Sequence, residues 1–127
     1  MSSLNGASKR LLRILVVEDE PDLRALALMV LEEDGGFDVL MAESADAAFA
    51  ILASDDAIDC VFTDVNMPGL FDGLDLAAGI MKHFHLTKVV ITSGNGYVST
   101  PVPGVPFVPK PYNVTNLPDI LRSAVAS

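Results

Sequence analysis

The sequence predicts an α/β protein built on a doubly wound, five-stranded parallel sheet with helices on both faces. Five short apolar runs are predicted strands, and the first of them lacks polar alternation, which is typical of a strand buried on both sides. Segments with helical periodicity alternate with these runs, and this alternation favours right-handed βαβ units. Four of the runs end in polar residues, so one edge of the sheet is expected to carry function. The length of 127 residues fits one domain.

The first predicted βα unit begins with the β-branched run from Arg13 to Val17. Pro21 follows acidic residues and suits the first turn of a helix. Gly35-Gly36 ends this helix, because glycine is favoured just beyond a helix C-terminus. The apolar stripe of the helix comprises Leu23, Leu26, Ala27, Val30 and Leu31.

The later elements follow from the same criteria. Ser44 is the predicted N-cap of an alanine-rich second helix. Pro118 is tolerated only in a first turn, which favours Asn116 over Asn113 as the start of a last helix that ends near Val125. The other strands are predicted at Phe37 to Met41, Cys60 to Thr63, Lys88 to Thr92 and Val105 to Pro109, and the other helices at Ala45 to Ala53 and Gly73 to Phe84.

Composition argues against several classes of function. With 17 acidic and 8 basic residues the net charge is −9, so phosphate backbones should repel the protein and nucleic-acid binding is not expected.

No apolar stretch approaches the ~20 residues of a membrane span. The polar segment Met1 to Arg10 lacks a signal-peptide core, so we expect a cytoplasmic protein with a flexible tail at residues 1–10 and one domain at 11–127. Cys60 lies in an apolar run, where a buried, unreactive thiol is expected.

Polar groups at the carboxyl ends of the predicted strands are expected to meet in one crevice. Glu18, Asp19 and Asp64 supply carboxylate oxygens, the ligands that Mg²⁺ prefers. Without a cation, three converging carboxylates would repel one another and raise one another's pKa. The alternative for Glu18-Asp19 is charge stabilisation of a helix N-terminus, and for Asp64 it is the initiation of a turn.

Asp64 is also the candidate nucleophile, which would form an aspartyl phosphate. Ser93 would offer a hydroxyl to a phosphoryl oxygen, and Lys110 would place a positive charge on the phosphoryl group during transfer. Each has an ordinary alternative, since a serine before glycine is commonly a loop residue and a lysine is commonly solvated.

Four segments, taken together and in this order, resemble one family. They are Leu15-Val16-Val17-Glu18-Asp19, Asp64-Val65-Asn66-Met67-Pro68-Gly69 with Asp72-Gly73, Ile91-Thr92-Ser93-Gly94, and Phe107-Val108-Pro109-Lys110-Pro111. The chain thus resembles the response-regulator receiver domains of bacterial two-component signalling, of the stand-alone or hybrid-kinase type. The resemblance implies a flavodoxin-like sheet with strand order 2-1-3-4-5.

The resemblance also implies roles for individual residues. Asp64 would be the phosphoacceptor, and Ser93 and Phe107 would be the switch hydroxyl and switch aromatic. Lys110 would be the lysine of the family pattern. The magnesium ligands would be Glu18, Asp19, Asp64 and the backbone carbonyl of Asn66.

The function implied by the resemblance is a phosphorylation-switched signalling module rather than an enzyme. A phosphohistidine on a sensor histidine kinase or histidine phosphotransfer protein would be the donor in a Mg²⁺-dependent phosphorelay. The module would act by protein contact on an unknown downstream protein, without an output domain of its own. The resemblance, with the need to aim the Lys110 ammonium over the sheet end, also predicts a cis Lys110–Pro111 bond.

The chain departs from the family pattern in two places. Leu70-Phe71 lengthens the loop before Asp72-Gly73 by one residue. The segment from Gly94 to Gly104 is rich in glycine and proline and resists helix formation, so the family's fourth helix, between strands four and five, is expected to be short or missing. We expect this segment to be mobile or irregular, and to become ordered on phosphorylation.

Two other functions compete with this one. An aspartate-nucleophile phosphatase of the dehalogenase-like class would need a second acid where Asn66 stands, and turnover of phosphate esters would favour it. A dinucleotide-binding fold would need Gly-x-Gly-x-x-Gly after the first strand, where this chain has acidic residues. A nucleotide-binding assay would discriminate the latter.

Overall fold

The computed structural model describes residues 11–54, 57–94 and 104–127. Five strands form one parallel sheet in the order β2-β1-β3-β4-β5, which confirms the predicted architecture. The strands are β1 (Arg13–Val17), β2 (Asp38–Ala42), β3 (Cys60–Asp64), β4 (Lys88–Ser93) and β5 (Phe107–Pro109), and the α-helices of the described ranges are α1 (Pro21–Met29), α2 (Ala45–Ser54), α3 (Gly73–His83) and α4 (Leu117–Ala126).

The sheet separates two hydrophobic clusters, because successive strand residues point to opposite faces. On one face Leu15, Val61 and Ile91 pack with α2 and α3. On the other face Phe62 and Val90 pack with α1 and α4. The central strands are therefore covered on both sides, as their continuous apolar sequences predict.

The end of α1 differs from the regular helix that the sequence predicts. Val30–Asp34 continues it as a π-helical turn, in which the backbone N–H of Gly35 donates to the Val30 carbonyl at 3.1 Å. Beyond it, the Arg122 guanidinium of α4 lies 5.0 Å from the centre of the Phe37 ring and also donates to the Gly35 carbonyl. Contacts from α4 thus fix the end of the first helix, and sequence periodicity along α1 cannot reveal them.

Two strand starts were predicted wrongly, and β2, β3 and β4 each end one residue later than predicted. Phe37 precedes β2 because its N–H donates to the Leu31 carbonyl at 3.0 Å, at the helix end, and its side chain is buried. The predicted start of the last strand at Val105 is also wrong, because β5 begins at Phe107. Pro106 has no N–H to give to a sheet ladder, although its carbonyl accepts from Ile91 at 3.0 Å.

Two predicted helix starts are confirmed. The Ser44 hydroxyl accepts a hydrogen bond from the Ala47 N–H at 3.1 Å, as expected of an N-cap of α2. The last helix begins after Asn116, the later of the two predicted sites, with Pro118 in its first turn. α3 ends at His83, one residue earlier than predicted, and its first turn carries a capping box formed by Asp72 and Asp75.

Three predictions concern residues outside the described ranges. The tail at residues 1–10 lies outside the described residues, and so does most of the segment between β4 and β5, at 95–103. The short or missing fourth helix, and its ordering on phosphorylation, therefore stay predictions. None of the helices in the described ranges is long and apolar enough to cross a membrane.

Candidate functional site

The carboxyl ends of four strands place the predicted site residues at one edge of the sheet. Glu18 follows β1, Asp64 ends β3, Ser93 ends β4 and Lys110 follows β5. Backbone hydrogen bonds continue the ladder into this edge, because Lys110 N–H donates to the Ser93 carbonyl at 2.9 Å. The sheet register therefore sets where these side chains begin.

Three carboxylates converge there, as the sequence predicts. Glu18, Asp19 and Asp64 each offer one oxygen, and these oxygens all lie within 4.8 Å of one another. Glu18 and Asp64 are buried, whereas Asp19 is exposed at the rim. Hard oxygen donors at this spacing are the donor type that a divalent cation such as Mg²⁺ takes.

Lys110 connects two of these carboxylates. Its Nζ lies 2.8 Å from Glu18 Oε1 and 3.0 Å from Asp64 Oδ2. The three side chains have relative exposures of 13%, 5% and 9%, so water screens these contacts weakly. One ammonium faces three carboxylates, which leaves a local excess of negative charge.

Burial and the contacts between Lys110 and its carboxylate partners act in opposite directions on the pKa values of Glu18 and Lys110. Burial raises the pKa of Glu18 above its ordinary value, and the Asp64 charge adds to this, while the Lys110 hydrogen bond lowers it. Burial lowers the pKa of Lys110, but hydrogen bonds to Glu18 and Asp64 outweigh this and raise the pKa overall. The lysine is thus held in its charged form beside the candidate phosphoacceptor.

Backbone donors hold the carboxylates in place. The Glu20 N–H donates to Glu18 Oε2 at 3.1 Å, and the Asn66 N–H donates to Asp64 Oδ1 at 3.3 Å. The Arg24 guanidinium donates to the Glu18 carbonyl at 2.7 Å, which ties α1 to the acidic loop. Sequence reasoning missed Arg24, although its position one helical turn after Pro21 places it near that loop.

Gly73 was identified only as part of a motif, and its role is steric. A Cβ at Gly73 would lie 1.9 Å from the backbone oxygen of Asp64 and 2.8 Å from its carbonyl carbon. The Gly73 N–H also donates to the Val65 carbonyl at 2.9 Å. The N-terminus of α3 therefore packs directly on the strand end that carries Asp64, which only glycine permits.

The two predicted switch residues lie on one face of the sheet. Ser93 is two residues beyond Ile91 on β4, and Phe107 pairs with Ile91 in the β4–β5 register, so all three share a face. Ser93 is buried and Phe107 is half-buried. Asn66 is exposed beside Asp64. The Lys110–Pro111 peptide bond is cis, as predicted.

Comparison with known proteins identifies the family. The family described as "Response regulator receiver domain" matches residues 14–122. The nitrogen assimilation regulatory protein NtrX of Azorhizobium caulinodans is 33% identical over 118 residues, covering 88% of this chain. The chain spans about a quarter of the length of NtrX, since the match covers 26% of that protein.

Solved structures of receiver proteins have the same fold. A response regulator receiver domain protein from Clostridium thermocellum is 29% identical, with a TM-score of 0.82 and coverage of 91% of this chain and 95% of that one. The response regulator TrrA of Thermotoga maritima, solved in complex with Mg(2+)-BeF, is 28% identical, with a TM-score of 0.80 and coverage of 90% and 99%. The chain belongs to the response regulator receiver domain family.

Proposed function

We propose that this chain accepts a phosphoryl group on Asp64 in a Mg²⁺-dependent reaction and signals through protein contacts. The observation that carries the proposal is the Lys110 ammonium between Glu18 and Asp64, beside the third carboxylate, Asp19. Family membership supports the reaction class, because receiver domains of response regulators are signalling phosphoacceptors.

The residues present fit a divalent cation. Glu18, Asp19 and Asp64 supply three carboxylate oxygens, and one lysine balances only part of their charge. The backbone carbonyl of Asn66 is the fourth protein ligand that we propose. When bound, Mg²⁺ would neutralise negative charge on the transferring phosphoryl group.

The chain's own groups account for the remaining steps. An Asp64 carboxylate oxygen attacks phosphorus, the new P–O bond forms, and the P–N bond of the donor phosphohistidine breaks with its electron pair returning to the imidazole. Lys110 is already 3.0 Å from Asp64 and stabilises the charge on the phosphoryl oxygens. Ser93 donates its hydroxyl to one of these oxygens, and Phe107 follows it on the same sheet face.

The donor that we propose is a phosphohistidine on a sensor histidine kinase or a histidine phosphotransfer protein. A cleft of about 240 Å³ adjoins Lys110 and is lined by Leu23, Leu26, Gly94, Pro111 and Tyr112. This mostly apolar cleft offers a partner protein contact area next to the reacting groups. The curated relative NtrX is a longer protein, so the absence of an output domain stays a prediction.

Phosphorylation of Asp64 can be tested directly. We expect a phosphate adduct in intact-mass spectra of the wild-type protein incubated with acetyl phosphate and Mg²⁺, and none on Asp64→Asn. Asp34→Asn is a matched control, because Asp34 is an exposed acid at the far end of α1 and should leave the adduct unchanged. Equal adducts on the wild type and on Asp64→Asn would overturn the assignment.

A further inference from the structure

Thr92 carries a buried hydroxyl that the proposed chemistry has not used. In the described ranges, its Oγ1 is the one fully buried side-chain oxygen or nitrogen without a hydrogen-bond partner. Thr92 is 2% exposed. Burying a hydroxyl without a partner costs stability, and valine has nearly the same shape without that cost. Packing alone therefore does not account for a threonine here.

The register of the sheet places Thr92 beside Asp64. The two residues are paired between β3 and β4, and adjacent parallel strands lie about 4.8 Å apart. Asp64 follows Phe62 by two residues and Thr92 follows Val90 by two, so both lie on the face that packs with α1 and α4.

Lys110 lies on the same face, on the other side of Thr92. Val108 pairs with Thr92 in the β4–β5 register, and Lys110 follows Val108 by two residues. Gly94 lies two residues after Thr92, just beyond β4, and has no side chain. A Cβ there would be 3.7 Å from Lys110 Cδ. Thr92 on β4 thus lies between β3, which carries Asp64, and β5, which leads to Lys110.

We propose that Thr92 is a further catalytic residue, whose hydroxyl donates to the Asp64 carboxyl group when the aspartyl phosphate is hydrolysed. The inference rests on the proposed function of Asp64. In the unphosphorylated structure Lys110 Nζ donates to Asp64 Oδ2 at 3.0 Å, and the Asn66 N–H donates to Asp64 Oδ1 at 3.3 Å. A phosphoryl group draws the lysine toward its own oxygens, and this frees a carboxyl oxygen for the neighbouring hydroxyl.

The hydroxyl would act on the bond that breaks. Water attacks phosphorus, the bond between phosphorus and the Asp64 oxygen breaks, and its electron pair returns to Asp64 as a carboxylate while the water's protons leave with inorganic phosphate. Negative charge therefore grows on the Asp64 carboxyl group in the transition state. A donated hydrogen bond stabilises that charge more than it stabilises the neutral acyl group, so Thr92 shortens the lifetime of the phosphorylated state.

The test compares aspartyl phosphate lifetimes. Wild type, Thr92→Val and Thr92→Ser are phosphorylated with acetyl phosphate and Mg²⁺, the donor is removed, and the adduct is followed by intact mass. We expect hydrolysis to be about fivefold slower in Thr92→Val, the effect of one lost hydrogen bond, and near the wild-type rate in Thr92→Ser. Thr87→Val is the control, because its hydroxyl donates to the Ile58 carbonyl at the opposite end of β4 and should affect folding only.

The outcomes separate the two proposals. Equal or faster hydrolysis in Thr92→Val, with a higher urea midpoint from removal of the unpartnered hydroxyl, would overturn the role of Thr92 and leave Asp64 as the phosphoacceptor. A wild-type protein that forms no adduct on Asp64 would overturn the proposed function and this inference with it. Thr92→Ala gives a second variant without the hydroxyl, so that the result does not depend on how valine packs.

Discussion

Lys110 Nζ lies 2.8 Å from Glu18 Oε1, although the two residues are 92 positions apart in the sequence. The contact joins the end of β5 to the end of β1, and Asp64 at the end of β3 completes the group at 3.0 Å. The Lys110 ammonium, after β5, thus contacts carboxylates from the ends of two other strands, β1 and β3. We therefore expect these contacts to affect the stability of the fold as well as the proposed chemistry.

Lys110→Met is expected to destabilise the protein, because it leaves the buried Glu18 and Asp64 carboxylates without their counter-charge. Removing one partner of a buried ion pair costs about 3–5 kcal/mol. Urea unfolding measures the loss, and added Mg²⁺ should restore part of it by binding the folded state. Lys82→Met, at an exposed position of α3, is the control and should change the midpoint little. A midpoint for Lys110→Met equal to that of the control would show that the ion pairs are energetically neutral.

The double substitution Glu18→Ala/Asp19→Ala is expected to abolish Mg²⁺-dependent phosphorylation in a folded protein. Both residues supply oxygens to the proposed metal site. Titration calorimetry with Mg²⁺ and intact mass after acetyl phosphate treatment measure the two losses. The alternative, in which these acids only stabilise a helix N-terminus, predicts wild-type labelling and a stability loss of about 0.3–1 kcal/mol per charge.

The matched control for that experiment is Glu32→Ala/Glu33→Ala. These residues form an exposed acidic pair in the π-helical turn at the end of α1, and their replacement removes the same two charges. Since negative charge is unfavourable at a helix C-terminus, this control should be neutral or slightly stabilising, and it should label normally.

Gly73→Ala is expected to lower stability by about 3 kcal/mol and to reduce phosphorylation of Asp64. A methyl group would lie 1.9 Å from the Asp64 backbone oxygen, so the N-terminus of α3 must move away from the strand end. Gly94→Ala is the matched control for the stability loss, because its methyl would meet Lys110 atoms at ordinary contact distances of 3.7 and 3.8 Å. Circular dichroism during urea unfolding and the rate of adduct formation report the two effects. Equal behaviour of the two variants would refute the steric role of Gly73.

Cys60 is expected to resist thiol reagents in the folded protein. Burial raises its pKa to about 12, so almost no thiolate forms at pH 8. Labelling by a chromogenic disulfide should be on the order of a hundredfold slower than for an exposed thiol, and urea should abolish the difference. Ala53→Cys in a Cys60→Ala background supplies the exposed thiol, since Ala53 is exposed on α2.

The raised pKa of Cys60 also makes the stability of the protein depend on pH. Between the ordinary pKa of 9.0 and about 12, the unfolded chain releases the Cys60 proton while the folded protein keeps it. Stability therefore falls as the pH rises through this window. Relative to Cys60→Ala, the wild type should lose more stability between pH 9 and 10.5, as measured by urea unfolding. Parallel pH profiles would contradict the assigned burial effect.

The amino-acid sequence predicted the succession of strands and helices along the chain and the polar residues that lie at the carboxyl ends of the strands. Uninterrupted apolar runs identify strands covered on both faces, and parallel strands bring their carboxyl ends to one edge. Glu18, Asp19, Asp64 and Lys110 could therefore be placed in one crevice before any distance was known. The cis Lys110–Pro111 bond was predicted from family resemblance and from the need to orient Lys110, and it is confirmed.

Which of these groups touch depends on the packing of segments that are far apart in the chain. Lys110 pairs with Glu18 and Asp64 because the register of four parallel strands sets the position of each side chain at the sheet edge, and this register joins strands that are far apart in the chain. The closeness of Gly73 to the Asp64 backbone depends likewise on how α3 docks on β3. In the sequence, Thr92 cannot be distinguished from an ordinary strand residue. Its burial beside Asp64 follows from packing between segments far apart in the chain.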